Sequence, residues 1–158
     1  RIGDEQPGTW GRREADVALR PLPYGGRGTR PLRAGWMVGR LPDAVMHARR
    51  FTARTLRRWK VAEAGDAVLL VVSELVTNAL VHTTGPVRLD LVLRGDRVRV
   101  GVSDASPRAP AKPVIVDWES TGGRGLMLVE AMSESFGSVP VAGGKQVWSQ
   151  IAVPGGAP

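Results

Sequence analysis

Two residues four apart, Glu74 and Asn78, stand out first, because they interrupt one of the most apolar stretches of the chain, DAVLLVVSELVTNALVHT. At 100° per residue a helix over Asp66 to Thr83 gathers Ser73, Glu74, Thr77, Asn78 and His82 on one half. Leu69, Val72, Val76, Ala79 and Leu80 fall on the other. Burying a carboxylate and an amide costs free energy unless partners satisfy them, so the stripe is expected to face a pocket. An Asn side-chain oxygen suits Mg²⁺, a hard cation often shared with phosphates. A Glu one turn earlier is placed to orient or deprotonate a nucleophile. Two further features fit the same chemistry. Asp104 closes an alternating apolar run, and a buried carboxylate there can accept a hydrogen bond from an exocyclic amine such as that of adenine. Gly122-Gly123-Arg124-Gly125 opens a helical pattern, where exposed amides and the helix dipole favour phosphate.

Around these residues the sequence prescribes an ordered set of elements. Residues 1–33 are rich in Arg, Gly and Pro and read as an irregular extension, with a domain over 34–153 and a short tail over 154–158. Ala34 to Gly39 reads as a strand. The stretch LPDAVMHARRFTARTLRRW reads as an amphipathic helix with Asp43 as N-cap, and Arg49, Arg50, Arg54, Arg57 and Arg58 on its solvated side. After the central helix, Val87 to Leu93 and Val98 to Val102 alternate as an antiparallel hairpin. Residues 105–121 hold three prolines and read as a long loop of the kind that forms functional lids. A helix follows, stopped at Gly137, and then two strands, about Ser138 to Ala142 and Lys145 to Val153, around a Gly143-Gly144 turn. The expected fold class is α+β, a two-layer sandwich with a mostly antiparallel sheet and helices on one face.

Composition narrows the chemistry. At 158 residues, 42% hydrophobic and 23% charged, one compact domain is expected. With no Cys, thiol nucleophiles and Cys-based metal sites are excluded, and two His residues argue against a His-rich site. No apolar run is expected to reach the length of a bilayer span and no signal peptide is recognised, so a cytoplasmic protein without membrane contact is expected. The net charge of +7 is spread along the chain rather than clustered, which argues against a nucleic-acid partner.

GGRG is neither a Walker motif nor G-x-G-x-x-G. Yet the succession ELVTNALVH, VSDASPRAP, GGRGLMLVEAMSESFG and GGKQVW resembles the boxes of the Bergerat-fold ATPases, above all the anti-sigma-factor serine kinases and their actinobacterial ATP-binding relatives. The resemblance covers about Ala34 to Val153. It implies ATP and Mg²⁺ as cofactors. Asn78 would ligate the metal and Glu74 would be the general base preparing a partner serine or water. Asp104 would read the adenine amino group, with Gly123, Arg124, Gly125 and Leu126 holding phosphates. Residues between Ala105 and Thr121 would form the lid. It further implies anti-sigma-factor and serine/threonine kinase activity, a sigma factor and a STAS-type antagonist as partners, and a homodimer. Two positions depart from the pattern. Ser106 stands where many members have Gly, and Gln146 stands where a Thr that bridges to adenine through water is expected.

Overall fold

The computed structural model describes residues 30–105 and 124–154. Five strands form one antiparallel sheet: β1 (Leu32–Val38), β2 (Val87–Arg94), β3 (Arg97–Ala105), β4 (Ser135–Val141) and β5 (Gly144–Ala152), in the spatial order β1-β2-β3-β5-β4. Three helices lie on one face: α1 (Ala44–Arg58), α2 (Gly65–His82) and α3 (Arg124–Met132). α1 packs on β1, α2 over β3 and α3 on β4, and α2 touches both of its neighbours. This is the expected two-layer α+β sandwich.

Strand alternation decides which side chains meet the helices. Val87, Leu89, Leu91 and Leu93 face them from β2. Their register partners Val98, Val100 and Val102 do so from β3, and all are buried. They meet Val68, Val71, Val72, Leu75 and Val76 of α2 and Ala48, Phe51 and Leu56 of α1 in one core. By length and composition alone, Ala62–His82 is apolar enough to cross a membrane. This corrects the reading that no run approaches that length. The helix instead spends its apolar face on the sheet and on α1.

β1 begins at Leu32, two residues earlier than expected. α1 starts where foreseen, but Asp43 makes no side-chain cap; its carboxylate meets His47 Nε2 at 2.9 Å, one turn on. The helix ends in a paired closure, Lys60 N–H donating to the Arg57 carbonyl (3.0 Å) and Val61 N–H to that of Leu56 (2.9 Å). Lys60 takes the left-handed φ of 61° that this closure requires.

The end of α3 departs from the sequence reading. The helix stops at Met132, and Gly137, read as its terminator, lies inside β4. Two hydrogen bonds make the switch: Ser133 Oγ donates back to the Val129 carbonyl, and Glu134 N–H donates to the Gln150 carbonyl at 2.8 Å, which starts the strand. Gly137 is needed for packing. A Cβ there would stand 3.2 Å from the Trp148 ring, which also carries Arg99 4.2 Å from its centroid on the face away from the helices. The last turn is Ala142-Gly143, with Gly143 at φ 79°, so Gly144 belongs to β5 rather than to the turn.

Candidate functional site

α2 carries the first two candidates, and its setting sorts the polar stripe. Arg49 of α1 donates to Ser73 Oγ at 2.6 Å and to the Leu69 carbonyl at 3.2 Å, so Ser73 belongs to the α1 contact rather than to a pocket. Asn78 lies about two and a half turns from Leu69, on the opposite side of the helix. Glu74 and Asn78 therefore sit on the flank away from α1, towards α3, and both are half-buried. Thr77 and His82 are exposed.

The C-terminal end of α2 is held by Arg40, which follows β1. Its Nη1 donates to the Leu80 carbonyl (3.0 Å) and its Nη2 to Thr83 Oγ1 (2.9 Å). Nε and Nη2 both reach the Gly85 carbonyl, at 2.9 and 2.6 Å. The last carbonyls of a helix lack partners within it, and a cation suits that end of the dipole. Arg40 thus fixes the turn that carries Asn78 relative to the start of β2.

Asp104 enters through that same turn, since Val87, the first residue of β2, is its register partner. It lies on the helix-covered face, continuing Val98, Val100 and Val102, and is only 6% exposed. Its Oδ1 is buried and makes no hydrogen bond to any group present. A buried carboxylate oxygen without a donor among the described residues is costly, so an incoming donor would be favoured there.

The third candidate lies at the same end. α3 delivers the chain to β4 at Ser135, which pairs with Gln150 at the far end of β5, so its nine residues, about 13 Å of helix, start towards the Asp104 end. Arg124, Gly125 and Leu126 are its first residues; Gly123 and the predicted lid fall outside the described residues. Asn78, near the C-terminal end of α2, thus lies towards the same end of the helix layer as Asp104, while Glu74 sits one turn earlier, at mid-helix.

Among the described residues no three carboxylate or imidazole groups gather to hold a metal. A divalent ion bound here would rely on the Asn78 oxygen and on oxygens of its ligand, which is how Mg²⁺ is commonly held with phosphates.

With this geometry the comparison with known families is decisive. Residues 39–151 match the histidine kinase-like ATPase domain.

The chain belongs to that family.

Its sheet and helix layer accordingly correspond to the Bergerat fold, and the histidine kinase-like ATPase domain here is an ATP-binding, kinase-like module. Among curated proteins none matches the chain.

The register partner of Asp104 on the helix-covered face is Lys145. Gln146 lies one residue on and therefore on the other face, fully buried, its Nε2 donating to Ser103 Oγ at 3.1 Å. Sequence reading missed Arg40 and Arg49. No local signal marks the two arginines.

Proposed function

We propose that this histidine kinase-like ATPase domain is an anti-sigma factor with serine/threonine protein kinase activity toward a STAS-type anti-sigma antagonist, acting in the cytoplasm as a homodimer. The observation that carries the nucleotide reading is the buried, donor-less oxygen of Asp104 at the same end of the helix layer as Asn78. An adenine amino group is a donor of the required kind. The kinase and partner assignments rest on the resemblance of the boxes around Glu74, Asn78, Asp104 and Gly123 to Leu126.

The division of labour follows from side-chain chemistry. Bound ATP with Mg²⁺ supplies the phosphoryl group and the charge neutralisation. Asp104 accepts from the base and sets its orientation. Asn78 holds the metal through its amide oxygen, and Arg40 keeps that turn of helix in place. Backbone amides of Gly123, Arg124, Gly125 and Leu126 take phosphate oxygens. Glu74 removes the proton from the serine hydroxyl that attacks. Phosphoryl transfer needs little beyond such positioning and electrostatics.

The test is calorimetric titration of ATP with Mg²⁺ into the wild type and Asn78→Ala, followed by transfer of γ-labelled phosphate to a STAS-domain substrate by wild type and Glu74→Ala. Saturable binding that drops at least tenfold in Asn78→Ala, with transfer lost in Glu74→Ala while binding persists, is expected. Wild-type binding without transfer would leave a nucleotide-gated module that sequesters its partner. No wild-type binding would sink the nucleotide reading.

A further inference from the structure

We propose that residues 1–29 lie across the outer face of β3, β5 and β4 as a third layer of the fold; this goes beyond the nucleotide reading and does not depend on it. The observation behind it is a gradient of burial on the face that the three helices leave uncovered. Alternation turns Met37, Arg88, Val92, Arg99, Gln146 and Val139 to that side. At the β1 edge the face is open: Met37 is 55% exposed and the Arg88 side chain 50%. Further in, Val92 is 8% exposed, Arg99 4%, Val139 3% and Gln146 0%. Side chains that stand in one layer on a sheet screen each other's flanks and leave their tips in water. A glutamine and an arginine closed off to this degree have a second layer above them. Among the described residues no helix or strand supplies it, since α1, α2 and α3 all pack on the opposite face.

The polar atoms beneath the cover suit an extended chain. Gln146 Oε1, an acceptor, and Trp148 Nε1, a donor, are both buried without a hydrogen bond to any group present. Backbone offers an N–H and a C=O at every residue other than proline, so it answers both. Residues 1–29 have the reach. They join the domain at Arg30, next to Leu32, and so arrive beside the row Arg33, Val92, Arg99. From β1 to β4 is four strand spacings, about 19 Å, which about six extended residues cross. The segment also has matching side chains. Trp10, Val17, Leu19, Leu22 and Tyr24 are apolar surface to lay on Val92 and Val139. Glu14 and Asp16, beside Val17, are anions for a face whose arginines, Arg33, Arg88 and Arg99, outnumber its one strand carboxylate, Asp90. The other end of the chain does not compete: residues 155–158 are Gly-Gly-Ala-Pro, without a side chain large enough to form a layer. β3 and β5 carry Asp104 and Lys145 on their helix-covered side, so the cover backs the strands that hold the candidate site.

The chain has no Cys, so a single introduced thiol reports the cover directly. The experiment uses the full chain with Val92→Cys on the outer face or, as a control, Val100→Cys in the helix-covered core. Alkylation by iodoacetamide is timed in each, and again in full-length chains that also carry Trp10→Ser, Val17→Ser, Leu19→Ser, Leu22→Ser and Tyr24→Ser. With the natural segment both thiols should react slowly. With the serine-substituted segment the Val92→Cys thiol should react about tenfold faster or more, because its protection comes from the segment alone. The Val100→Cys thiol should stay slow in both, which shows that the domain remains folded. A Val92→Cys thiol that reacts fast in the natural chain, or equally slowly in both, overturns the proposal. Equal acceleration of both thiols means loss of the whole domain rather than uncovering of one face, and overturns it as well. Protection of Val92→Cys that falls on dilution, alike with either segment, assigns the face to a second copy of the chain and overturns it too.

Discussion

Arg40 and Gly85 are joined by two hydrogen bonds from one guanidinium to one carbonyl, at 2.9 and 2.6 Å, across 45 residues of chain. The same side chain takes the Leu80 carbonyl and the Thr83 hydroxyl, so one residue ties the end of β1 to the end of α2 and to the turn into β2. Arg40→Ala is expected to lower stability by about 1–2 kcal/mol, since bonds from a charged donor are lost and helix-end carbonyls are left to water. Arg40→Lys should recover little, because an ammonium cannot fork over three acceptors. Denaturant midpoints check this, and a midpoint unchanged in Arg40→Ala would show the clamp to be idle.

Gly101 and Gly35 share a row on the outer sheet face and are expected to respond differently to the same added methyl. At Gly101 a Cβ would stand 2.7 Å from Nε2 and 2.9 Å from Cδ of Gln146, an amide that is fully buried and bonded to Ser103. Gly101→Ala should cost about 1–3 kcal/mol by overpacking. At Gly35 the obstacle is the guanidinium of Arg88, whose side chain is half exposed and can swing aside. Gly35→Ala should cost well under half as much. Chemical denaturation of both variants decides; equal losses would contradict the argument.

Asp90 gives the fold a pH dependence of known sign. Burial raises its carboxyl above the ordinary range, and the Arg88 guanidinium, 3.0 Å away, only partly counters this, with Arg33 adding a smaller opposing effect. The folded state therefore holds the proton more tightly than the unfolded chain. Its contribution to stability is fully present below the ordinary carboxylate value and is lost as pH rises through the folded value. Asp90→Asn keeps an acceptor for Arg88 and removes the charge. It should be more stable than wild type at pH 7, with the gap closing as the pH is lowered. Unfolding curves between pH 4 and 7 measure the gap, and a variant less stable than wild type at pH 7 would reverse the assignment.

Lys60 occupies a left-handed position without being glycine. Its side chain is exposed, so little packing is at stake. Lys60→Gly should stabilise the protein by about 1 kcal/mol, the steric relief exceeding the added freedom of the unfolded chain. A lowered melting temperature would mean that the lysine stem contributes more than its exposure suggests.

Much of this molecule was legible in the chain. The central helix was expected over Asp66 to Thr83 and runs Gly65–His82, because eighteen residues with strong apolar density and no proline leave little alternative. The β2–β3 hairpin followed from alternation alone. The misreadings share one cause, which is that contacts distant in sequence settle what local pattern leaves open. Val129, Met132 and Phe136 keep helical spacing, so the end of α3 was set too late; the bonds that stop it come from Ser133 and the distant Gln150. Gly137 reads locally as a terminator, but its role is to lie beneath Trp148. Ser73 looks like Glu74's companion until Arg49 claims it. Which of Lys145 and Gln146 shares a face with Asp104 turns on a single residue of register, and in a strand a single residue exchanges one face for the other. The empty side of Asp104 leaves no mark in sequence at all.

The sheet order also sets the tempo of folding. β2 with β3, and β4 with β5, close as neighbours through tight turns and can form within microseconds. β1 has to wait, because its partner β2 lies beyond both α1 and α2, and loop closure over such a span is entropically slow. Arg40 sits directly behind β1, so its grip on the end of α2 is acquired only when that strand docks. The flank bearing Glu74 and Asn78 is consequently among the last parts of the chain to become rigid, and nascent protein lacking a docked β1 should be blind to ligand even with its helices already formed.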